Sequence, residues 1–451
     1  MAITTRQSSL LVAEDWTKLY QTFRNADFQS FDYETIRKSM VDYLRLYYPE
    51  DFNDFIESSE FIALIDLLSF LGQGLSFRGD VNARENFIDT AQRRDSVLKL
   101  ARLISYNPKR NIPASGLLKV DSVSTTETVY DSNGLNLAGL VINWADSAND
   151  NWQEQMNAVI NASLNTTQAI GNPSNSQMIN NILNEEYQIN QVPSLTAVYP
   201  FTSAVEGSQT SFEMLSPTSA GQAYIYEVSP QPNSSFNLLY KNDNLGNSSN
   251  NTGFFTYFKQ GSLQSLDITF TESVPNRVYS LNVDNVNNND VWLYKLDANG
   301  NFDTMWEPVP SVGATNIIYN TKTSKDIYQV NTRAGDQIDL VFGDGSFAAK
   351  PQGKFRLYYR ISNGLNYKVS PDEMRGIVIP INYVSKTGRT ETINTHASLR
   401  YTVTNATPRE SVDEVRQKAP QQYYTQDRMV TGEDYNILPY TLFSSFLKVK
   451  P

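Results

Sequence analysis

The chain contains one histidine and no cysteine, which narrows the acid–base, thiol and metal chemistry open to it. Without cysteine, this sequence has no disulfide, thiolate metal ligand or thiol nucleophile. His396 lies in a threonine-rich, strand-like stretch with no carboxylate neighbour at ligand spacing, which predicts a surface or strand histidine. We therefore expect no catalytic residue, no metal site and no cofactor, and predict that the chain is not an enzyme.

The densest run of potential metal ligands consists of Asp297, Asn299, Asn301 and Asp303. It imitates the start of a calcium-binding loop, but Phe302 stands where such a loop needs its glycine. The pair Asn299-Gly300 instead predicts the tight turn of a β-hairpin.

The charge balance argues against nucleic-acid binding. The 451 residues include 37 basic and 48 acidic side chains, a net charge of −11, whereas phosphate binding needs a basic surface. The longest nearly apolar run, Phe61 to Leu71, is broken by Asp66 and Ser69 and falls short of the roughly 20 residues that span a bilayer. We expect neither nucleic acid nor a membrane among the partners.

The first 110 residues carry helical patterns. They predict a helix capped by Asp32 and stopped by Pro49, a second over Ser59–Gly72 and a third over Asn82–Ser105. The second is apolar nearly all round, so it must be covered on most sides. A bundle shared with other chains and a self-contained domain both meet this requirement.

From Pro113 onward, short apolar runs alternate with turn-forming clusters, which is typical of β structure. The clearest strand is Lys354–Ile361. The polar stretch Asn161–Gln191 predicts a helical insertion or a poorly ordered loop. Two capping boxes then predict C-terminal helices limited by Pro420 and Pro439. The boxes are Ser411 with Glu414 and Thr431 with Asp434.

These patterns predict an α+β, multidomain chain with an N-terminal helical bundle segment, predominantly β domains and short C-terminal helices. We place the helical region at 1–112 and a β-rich middle at 113–335, with its polar insertion near 150–190. A further β domain is placed at 336–410 and a helical segment at 411–451.

Two segments carry a family pattern. The first runs from Asp339 to Phe347 through Gly-Asp-Gly and continues to the Tyr359-Arg360 strand; the second includes Ala419-Pro420 and the run Thr425 to Tyr435. Both resemble the baseplate J-like family, so the β domain at 336–410 is identified as a member of it. Gly343 and Gly345 allow a tight turn with positive φ, and Asp344 can accept hydrogen bonds from the amides of that turn. The implied structural residues are Gly343, Asp344, Gly345, Arg360, Arg428, Thr431, Asp434 and Tyr435.

The N-terminal segments Pro49 to Leu67, Asn82 to Ala91 and Arg94 to Arg102 resemble a wedge protein of T-even-type contractile-tailed phages. The segment Thr252 to Ser262 extends the likeness into the middle of the chain. This implies a structural subunit of the tail baseplate wedge, located in the virion and assembled in the host cytoplasm. Such a subunit links wedge partners into the ring around the central hub and transmits the change that triggers sheath contraction.

The resemblance also implies the partners. In relatives, two copies of this protein join one copy of a longer wedge protein, helices of all three chains form a bundle, and other wedge and sheath-initiator proteins are neighbours. The residues implied at this bundle are Phe61, Leu64, Ile65, Leu68, Leu71, Phe87, Ala91, Arg94 and Leu98. Relatives continue past the Asp-Tyr helix into a C-terminal region, so we expect either that this region is truncated at Pro451 or that this phage uses a reduced version.

The segment from Pro108 to Pro113 is the predicted hinge, about which β domains would reorient while the bundle moves as a rigid unit. Two other classes remain open. A tail adhesin or receptor-binding protein would share the acidic, β-rich composition but would normally expose a repeat or fibre region. A tail-associated glycosidase would need two carboxylates about 5–10 Å apart, a separation that sequence does not reveal.

Overall fold

The structure, a computed structural model, describes residues 32–47, 60–163, 175–179, 181–189, 197–219, 225–231, 236–312, 324–363, 368–425 and 429–442. The chain divides into two compact units, Met1–Leu100 and Ala101–Pro451. Helices come first, sheets dominate the second unit and two short helices follow, which confirms the predicted fold class.

The described part of the first unit is helical. Helix α1 spans Tyr33–Tyr47 and α2 spans Glu60–Arg84, while α3, Arg94–Leu103, runs across the unit boundary. Asp32 caps α1 as predicted, because its Oδ1 accepts a hydrogen bond of 2.7 Å from the backbone N–H of Thr35.

The predicted third helix is wrong in its first half, because α2 continues to Arg84 and α3 begins only at Arg94. The intervening Glu85 carboxylate accepts hydrogen bonds from the backbone N–H groups of Gln92, at 3.0 Å, and Arg93, at 3.1 Å. These bonds satisfy backbone donors just ahead of α3, so the chain turns instead of continuing as one helix.

Helix α3 ends in a Schellman motif. Ser105 adopts φ 62°, the backbone N–H of Tyr106 donates to Ala101 O at 2.9 Å, and that of Ser105 donates to Arg102 O at 3.0 Å. Serine therefore occupies a left-handed position where glycine is usual, and its Cβ strains the backbone there.

The described part of the second unit contains nineteen strands, three further α-helices and one short 3-10 helix, Ala334–Asp336. The first strands are β1 Ser115–Thr125, β2 Ile142–Asn143, β3 Asn175–Ile179, β4 Ile182–Ile189, β5 Val198–Val205, β6 Ser208–Leu215, β7 Pro217–Thr218, β8 Tyr226–Glu227 and β9 Phe236–Asn242. The others are β10 Gly253–Gln260, β11 Ser262–Phe270, β12 Val278–Leu281, β13 Val286–Leu296, β14 Phe302–Pro308, β15 Ile327–Thr332, β16 Ile338–Phe342, β17 Gly353–Ile361, β18 Ile377–Val384 and β19 Thr390–Leu399. The helices are α4 Trp152–Ser163, α5 Val412–Thr425 and α6 Gly432–Leu442.

Two large sheets organise this unit. The ten-stranded sheet has the order β18-β19-β1-β10-β9-β4-β3, with β2 beside β1, β6 beside β10, and β5 beside β6. The seven-stranded sheet has the order β11-β17-β13-β14-β15-β16-β12, and β7 pairs with β8 alone. Residues 336–410 contribute strands to both large sheets, β16 and β17 to the smaller and β18 and β19 to the larger.

The chain first passes from the larger sheet to the smaller one at Gly261, between β10 and β11, and it returns between β17 and β18. Gly261 has φ 119°, and a Cβ built there would lie 2.5 Å from Ile361 O. Only glycine fits both this backbone conformation and this close approach, so the crossing is determined by a single residue.

The strand predicted at Lys354–Ile361 is confirmed as β17, whose Phe355 and Leu357 are fully buried in the core of the seven-stranded sheet. Its opposite face is also covered, because Tyr358 and Arg360 are buried. The predicted hairpin is confirmed as well: β13 and β14 pair across the turn, and Gly300 adopts φ 84°.

The polar stretch was predicted incorrectly in its second half. Residues 175–179 and 182–189 form strands, not a helix or a loop. Strand β4 pairs with β9 from Leu183 to Ile189 and buries Tyr187 and Ile189. A few apolar side chains at two-residue spacing therefore suffice to form a strand here once a neighbouring strand supplies the ladder.

Both C-terminal capping boxes are confirmed. Ser411 N donates to Glu414 Oε2 at 2.7 Å, and Thr431 N donates to Asp434 Oδ2 at 2.7 Å. The predicted stops are wrong, because Pro420 lies inside α5 and Pro439 inside α6. Burial of neighbouring α5 side chains, such as Ala419, offsets the backbone donor that Pro420 lacks.

Candidate functional site

One face of α2 is used inside the first unit. Ile62, Ile65 and Ser69 are buried, at the i, i+3, i+7 spacing of a single helical face. Asp66 accepts a hydrogen bond of 2.5 Å from Arg37 Nε of α1, and this bond holds the pKa of the Asp66 carboxyl below its usual value. These contacts fix α1 against α2.

A second side of α2 exposes a leucine stripe, defined here as Leu64, Leu68, Leu71 and Leu75. Their side chains are 55%, 52%, 52% and 70% exposed. Successive spacings of four, three and four residues place them on one side of the helix, away from the buried Ile62, Ile65 and Ser69. Leu67, Phe70 and Phe77 are exposed nearby along the helix. Large exposed apolar patches of this kind mark interaction surfaces.

The spacing of the leucine stripe also limits what can cover it. Alternating steps of four and three residues repeat every seven residues, which is the a/d pattern of a coiled-coil seam. Such a seam accepts the side chains of another helix as knobs into its holes, whereas a flat sheet or a small ligand does not match it. The geometry therefore favours a helical partner.

The predicted bundle residues separate into two groups. Leu64, Leu68 and Leu71 belong to the exposed stripe, and Phe87 is exposed beyond the end of α2. Ile65, Ala91 and Leu98 are instead buried within this chain, so their assignment to a partner surface is corrected. For Ile65, the reason is that α2 is apolar nearly all round and buries one side against its own unit first. Leu98 lies on the buried side of α3 together with Val97 and Ala101, and Ala91 is buried just before that helix. Arg94 is partly buried, and the side chain of Phe61 lies outside the described residues.

The predicted hinge around Pro108 and Pro113 is firmly bonded. Arg110 is buried, and its guanidinium donates to Val286 O at 3.1 Å, Asn288 O at 2.8 Å and Thr332 Oγ1 at 3.0 Å. Burial lowers the pKa of Arg110 to about 10, against the opposing effect of nearby carboxylates. Rotation about this segment would break these bonds, so the contacts argue against a hinge at Pro108 and Pro113.

Arg360, identified from the family pattern, lies at the centre of a buried charge cluster. Its Nε donates to Glu213 Oε2 at 2.8 Å and its Nη2 donates to Glu227 Oε1 at 2.7 Å. Lys259 and Asp290 form a second ion pair beside it. We call these five residues the Arg360 cluster. It joins β17 and β13 of the smaller sheet to β6 and β10 of the larger sheet and to β8.

The glycines of the family motif act differently from one another. Gly345 has φ 98°, as predicted, whereas Gly343 is required by crowding: a Cβ there would lie 2.3 Å from the Cβ of Ala348. Asp344 Oδ1 accepts a hydrogen bond of 2.8 Å from Ser346 N, and such backbone bonds keep the pKa of Asp344 low. The motif forms a tight turn, but the positive φ predicted for Gly343 is wrong, because Gly345 adopts it and Gly343 does not. The structural role assigned to the motif stays a prediction.

The C-terminal family residues lie at the start of α6. Thr431 and Asp434 form the cap described above, and Tyr435 is half exposed. Arg428 lies outside the described residues. His396 is a partly buried residue of β19, opposite Ser122 and Val378 in the neighbouring strands.

No group of three or more histidine, aspartate or glutamate side chains in the described ranges is arranged to hold a metal ion. Within the same part of the chain, no helix has the length and apolarity needed to cross a membrane.

Sequence reasoning missed two features of the chain. Leu64, Leu68 and Leu71 of the leucine stripe were among the implied bundle residues, but Leu75 was missed, although the 4-3-4 spacing that includes it is visible in the sequence. The partners of Arg360 were also missed. A charge flanked by apolar or aromatic residues, as at Glu213 in Ser-Phe-Glu-Met-Leu, was the available signal.

Two family models match the chain. The model described as a domain of unknown function (DUF8360) matches residues 116–402, which include both large sheets. The model described as the N-terminal domain of bacteriophage baseplate proteins matches residues 32–103, which include α1, α2 and α3. No curated protein matches the chain.

Proposed function

This chain belongs to the family described as a domain of unknown function (DUF8360), and from its baseplate N-terminal domain we propose that it is a structural subunit of a phage baseplate wedge. The match over residues 32–103 supports a structural role in a baseplate, within the tail of a phage virion. The proposal adds that the subunit links wedge partners and passes on the change that triggers contraction of the sheath.

The observation that carries the proposal is the leucine stripe on α2, within the residues that match the baseplate domain. It is apolar, its spacing fits a partner helix, and α1 occupies the other side of α2. This combination supports a helical bundle completed by other chains, for which we propose a second copy of this chain and one longer wedge protein.

The stripe has enough apolar surface to matter energetically. Full burial of a leucine side chain contributes about 1.5–3 kcal/mol of favourable free energy. Covering the exposed half of each leucine in the stripe would therefore contribute roughly 1 kcal/mol to association. Four such residues, at 52–70% exposure, supply a cohesive centre for an interface. The actual affinity would also depend on the cost of association and on the partner's fit.

The test is native mass spectrometry of this chain co-expressed with the longer wedge protein of the same phage. We expect a complex of two copies of this chain with one partner. Leu71→Lys should abolish the complex, because it places a charge at the middle of the stripe. Ala63→Lys is the matched control: it adds the same charge to an exposed position of α2 off the stripe and should leave the complex intact.

Both substitutions lie at exposed positions, so the thermal unfolding midpoint of the isolated chain should not change. A wild-type chain that stays monomeric with every candidate partner would refute the wedge assignment. A Leu71→Lys chain that assembles as well as the wild type would instead refute the stripe as the interface. The proposal gives the chain no catalytic role, and activity on purified cell wall would contradict this.

A further inference from the structure

The segment that leads into the β region is bonded to the segment that leads into α5. Ile112 and Thr407 exchange two backbone hydrogen bonds of 2.9 Å each, and Glu410 N donates to Lys109 O at 3.1 Å. Residues 109–112 and 407–410 therefore lie side by side, although almost 300 residues separate them in the sequence.

The side chain of Glu410 reinforces this link. Glu410 is 5% exposed, and its carboxylate accepts hydrogen bonds from Tyr106 Oη at 2.9 Å and from Lys109 N at 2.9 Å. Lys418 Nζ of α5 donates to the other carboxylate oxygen at 3.0 Å. We call these four residues, Tyr106, Lys109, Glu410 and Lys418, the Glu410 clasp.

The Glu410 clasp touches the ends of two helices. Tyr106 closes the Schellman motif at the end of α3, since its backbone N–H bonds Ala101 O. Glu410 immediately precedes Ser411, the residue that caps α5, and Lys418 reaches back to it from farther along the helix. One carboxylate thus bonds Tyr106, just after α3, and Lys418, in the middle of α5, at the same time.

We propose that the Glu410 clasp makes residues 106–112 and helix α5 a single cooperative element, so that a displacement of one is passed directly to the other. Hydrogen bonds to a buried charge are strong, and the loss of one donor leaves the buried Glu410 carboxylate poorly satisfied. The segment and the helix therefore open together and not one after the other.

This inference concerns contacts within the second unit and does not depend on the wedge assignment. In an assembled baseplate, however, it gives a route for motion. A force that reaches the chain at the end of α3 would pass to α5 through the Glu410 clasp and to the smaller sheet through the hydrogen bonds of Arg110.

Hydrogen exchange of the full-length chain, measured by mass spectrometry, tests the proposal. Tyr106→Phe removes one hydroxyl from the segment, and we expect exchange to become about tenfold faster in both 106–112 and 412–425, the size of a lost hydrogen bond to a charge. Lys418→Met perturbs the clasp from the helix and should accelerate exchange in the same two regions.

Tyr383→Phe is the matched control. Its buried hydroxyl bonds Thr125 Oγ1 and Glu127 in the larger sheet, away from the clasp. It should leave exchange in 106–112 and 412–425 unchanged. Hydrogen exchange in β17 reports whether each variant is folded. If Lys418→Met unfolds the chain, the Tyr106→Phe variant alone tests the proposal. Acceleration confined to the mutated side, or no acceleration in α5 after Tyr106→Phe, would overturn the proposal.

Discussion

Replacing Arg360 with methionine removes a buried cation but keeps a long, flexible side chain in β17. Arg360 is fully buried, and the carboxylates of Glu213, Glu227 and Asp290 lie around it with only Lys259 as a second cation. The carboxylates outweigh the effect of burial and raise the pKa of Arg360, so its charge is retained at all ordinary pH values. The substitution therefore leaves three buried carboxylates facing one cation.

Breaking a buried ion pair from one side costs about 3–5 kcal/mol, because the remaining charge stays desolvated. We expect a loss of this size in the free energy of unfolding for Arg360→Met. Arg356→Met on the same strand is the control, since Arg356 pairs with Asp267 at the surface. An exposed pair of this kind contributes under about 1 kcal/mol.

The charge argument is tested further by a compensated variant. Arg360→Met combined with Glu213→Gln and Glu227→Gln leaves Lys259 opposite Asp290, one cation and one anion. The amide that replaces the Glu213 carboxylate keeps an oxygen for the backbone N–H of Leu263, which in the wild type donates to Glu213 Oε1 at 2.5 Å. We expect the triple variant to recover most of the lost stability, to within about 1–2 kcal/mol of the wild type.

Urea unfolding followed by tryptophan fluorescence measures these differences. The ring of Trp292 lies 5.6 Å from the Arg360 guanidinium and provides a reporter close to the cluster. The reasoning is refuted if Arg360→Met lowers the free energy of unfolding by less than about 1 kcal/mol, or if the triple variant is as unstable as the single one. In either case, the stability of the site does not depend on the balance of its charges.

Three further predictions concern single sites and can be checked by the same unfolding measurements. Burial lowers the pKa of Lys119 to about 8, so the folded chain releases this proton before the unfolded chain does, and Lys119 should contribute about 1 kcal/mol to a rise in stability from pH 7 to 9. Because the pKa of Lys109 is also lowered to about 8, Lys119→Met should reduce this rise by about 1 kcal/mol and not abolish it. Ser105→Gly should stabilise the chain by about 1 kcal/mol, because φ 62° strains every residue with a Cβ, and a loss of stability would contradict the Schellman assignment. Gly343→Ala should cost about 1–3 kcal/mol through contact with Ala348, whereas Gly432→Ala, with open space around it, should cost nothing.

The helical N-terminus could be predicted because its apolar residues repeat with the period of a helix. The capped start of α1 and the boxes at Ser411 and Thr431 were also predictable, since a cap depends on residues within one turn of each other. The same holds for β17, whose alternation is local, and for the Asn299-Gly300 turn.

Two of the errors share one cause, which is tertiary contact. A helix was predicted to end at Pro420, but α5 continues because it packs against the rest of its unit. The polar stretch from 175 to 189 forms strands because β9 offers it a partner. In each case, the local preference was weaker than contacts made with residues far away in sequence.

The candidate interface could be predicted in part. The sequence indicated that α2 carries too much apolar surface for its own neighbours, and the structure decided which side is left over: Leu64 is exposed and Ile65 is buried. Helical periodicity defines the possible faces, but only packing against α1 selects one of them.

By itself, the sequence determined the class of the fold, the presence of helices near both ends of the chain, the turns and the absence of thiol chemistry. These features depend on composition and on neighbours within a few residues. Only the tertiary structure decided that Arg360 and Arg110 are buried and that Glu410 bonds Tyr106. A charged residue carries no local sign of its partner, since the attraction that stabilises it acts between residues brought together by folding.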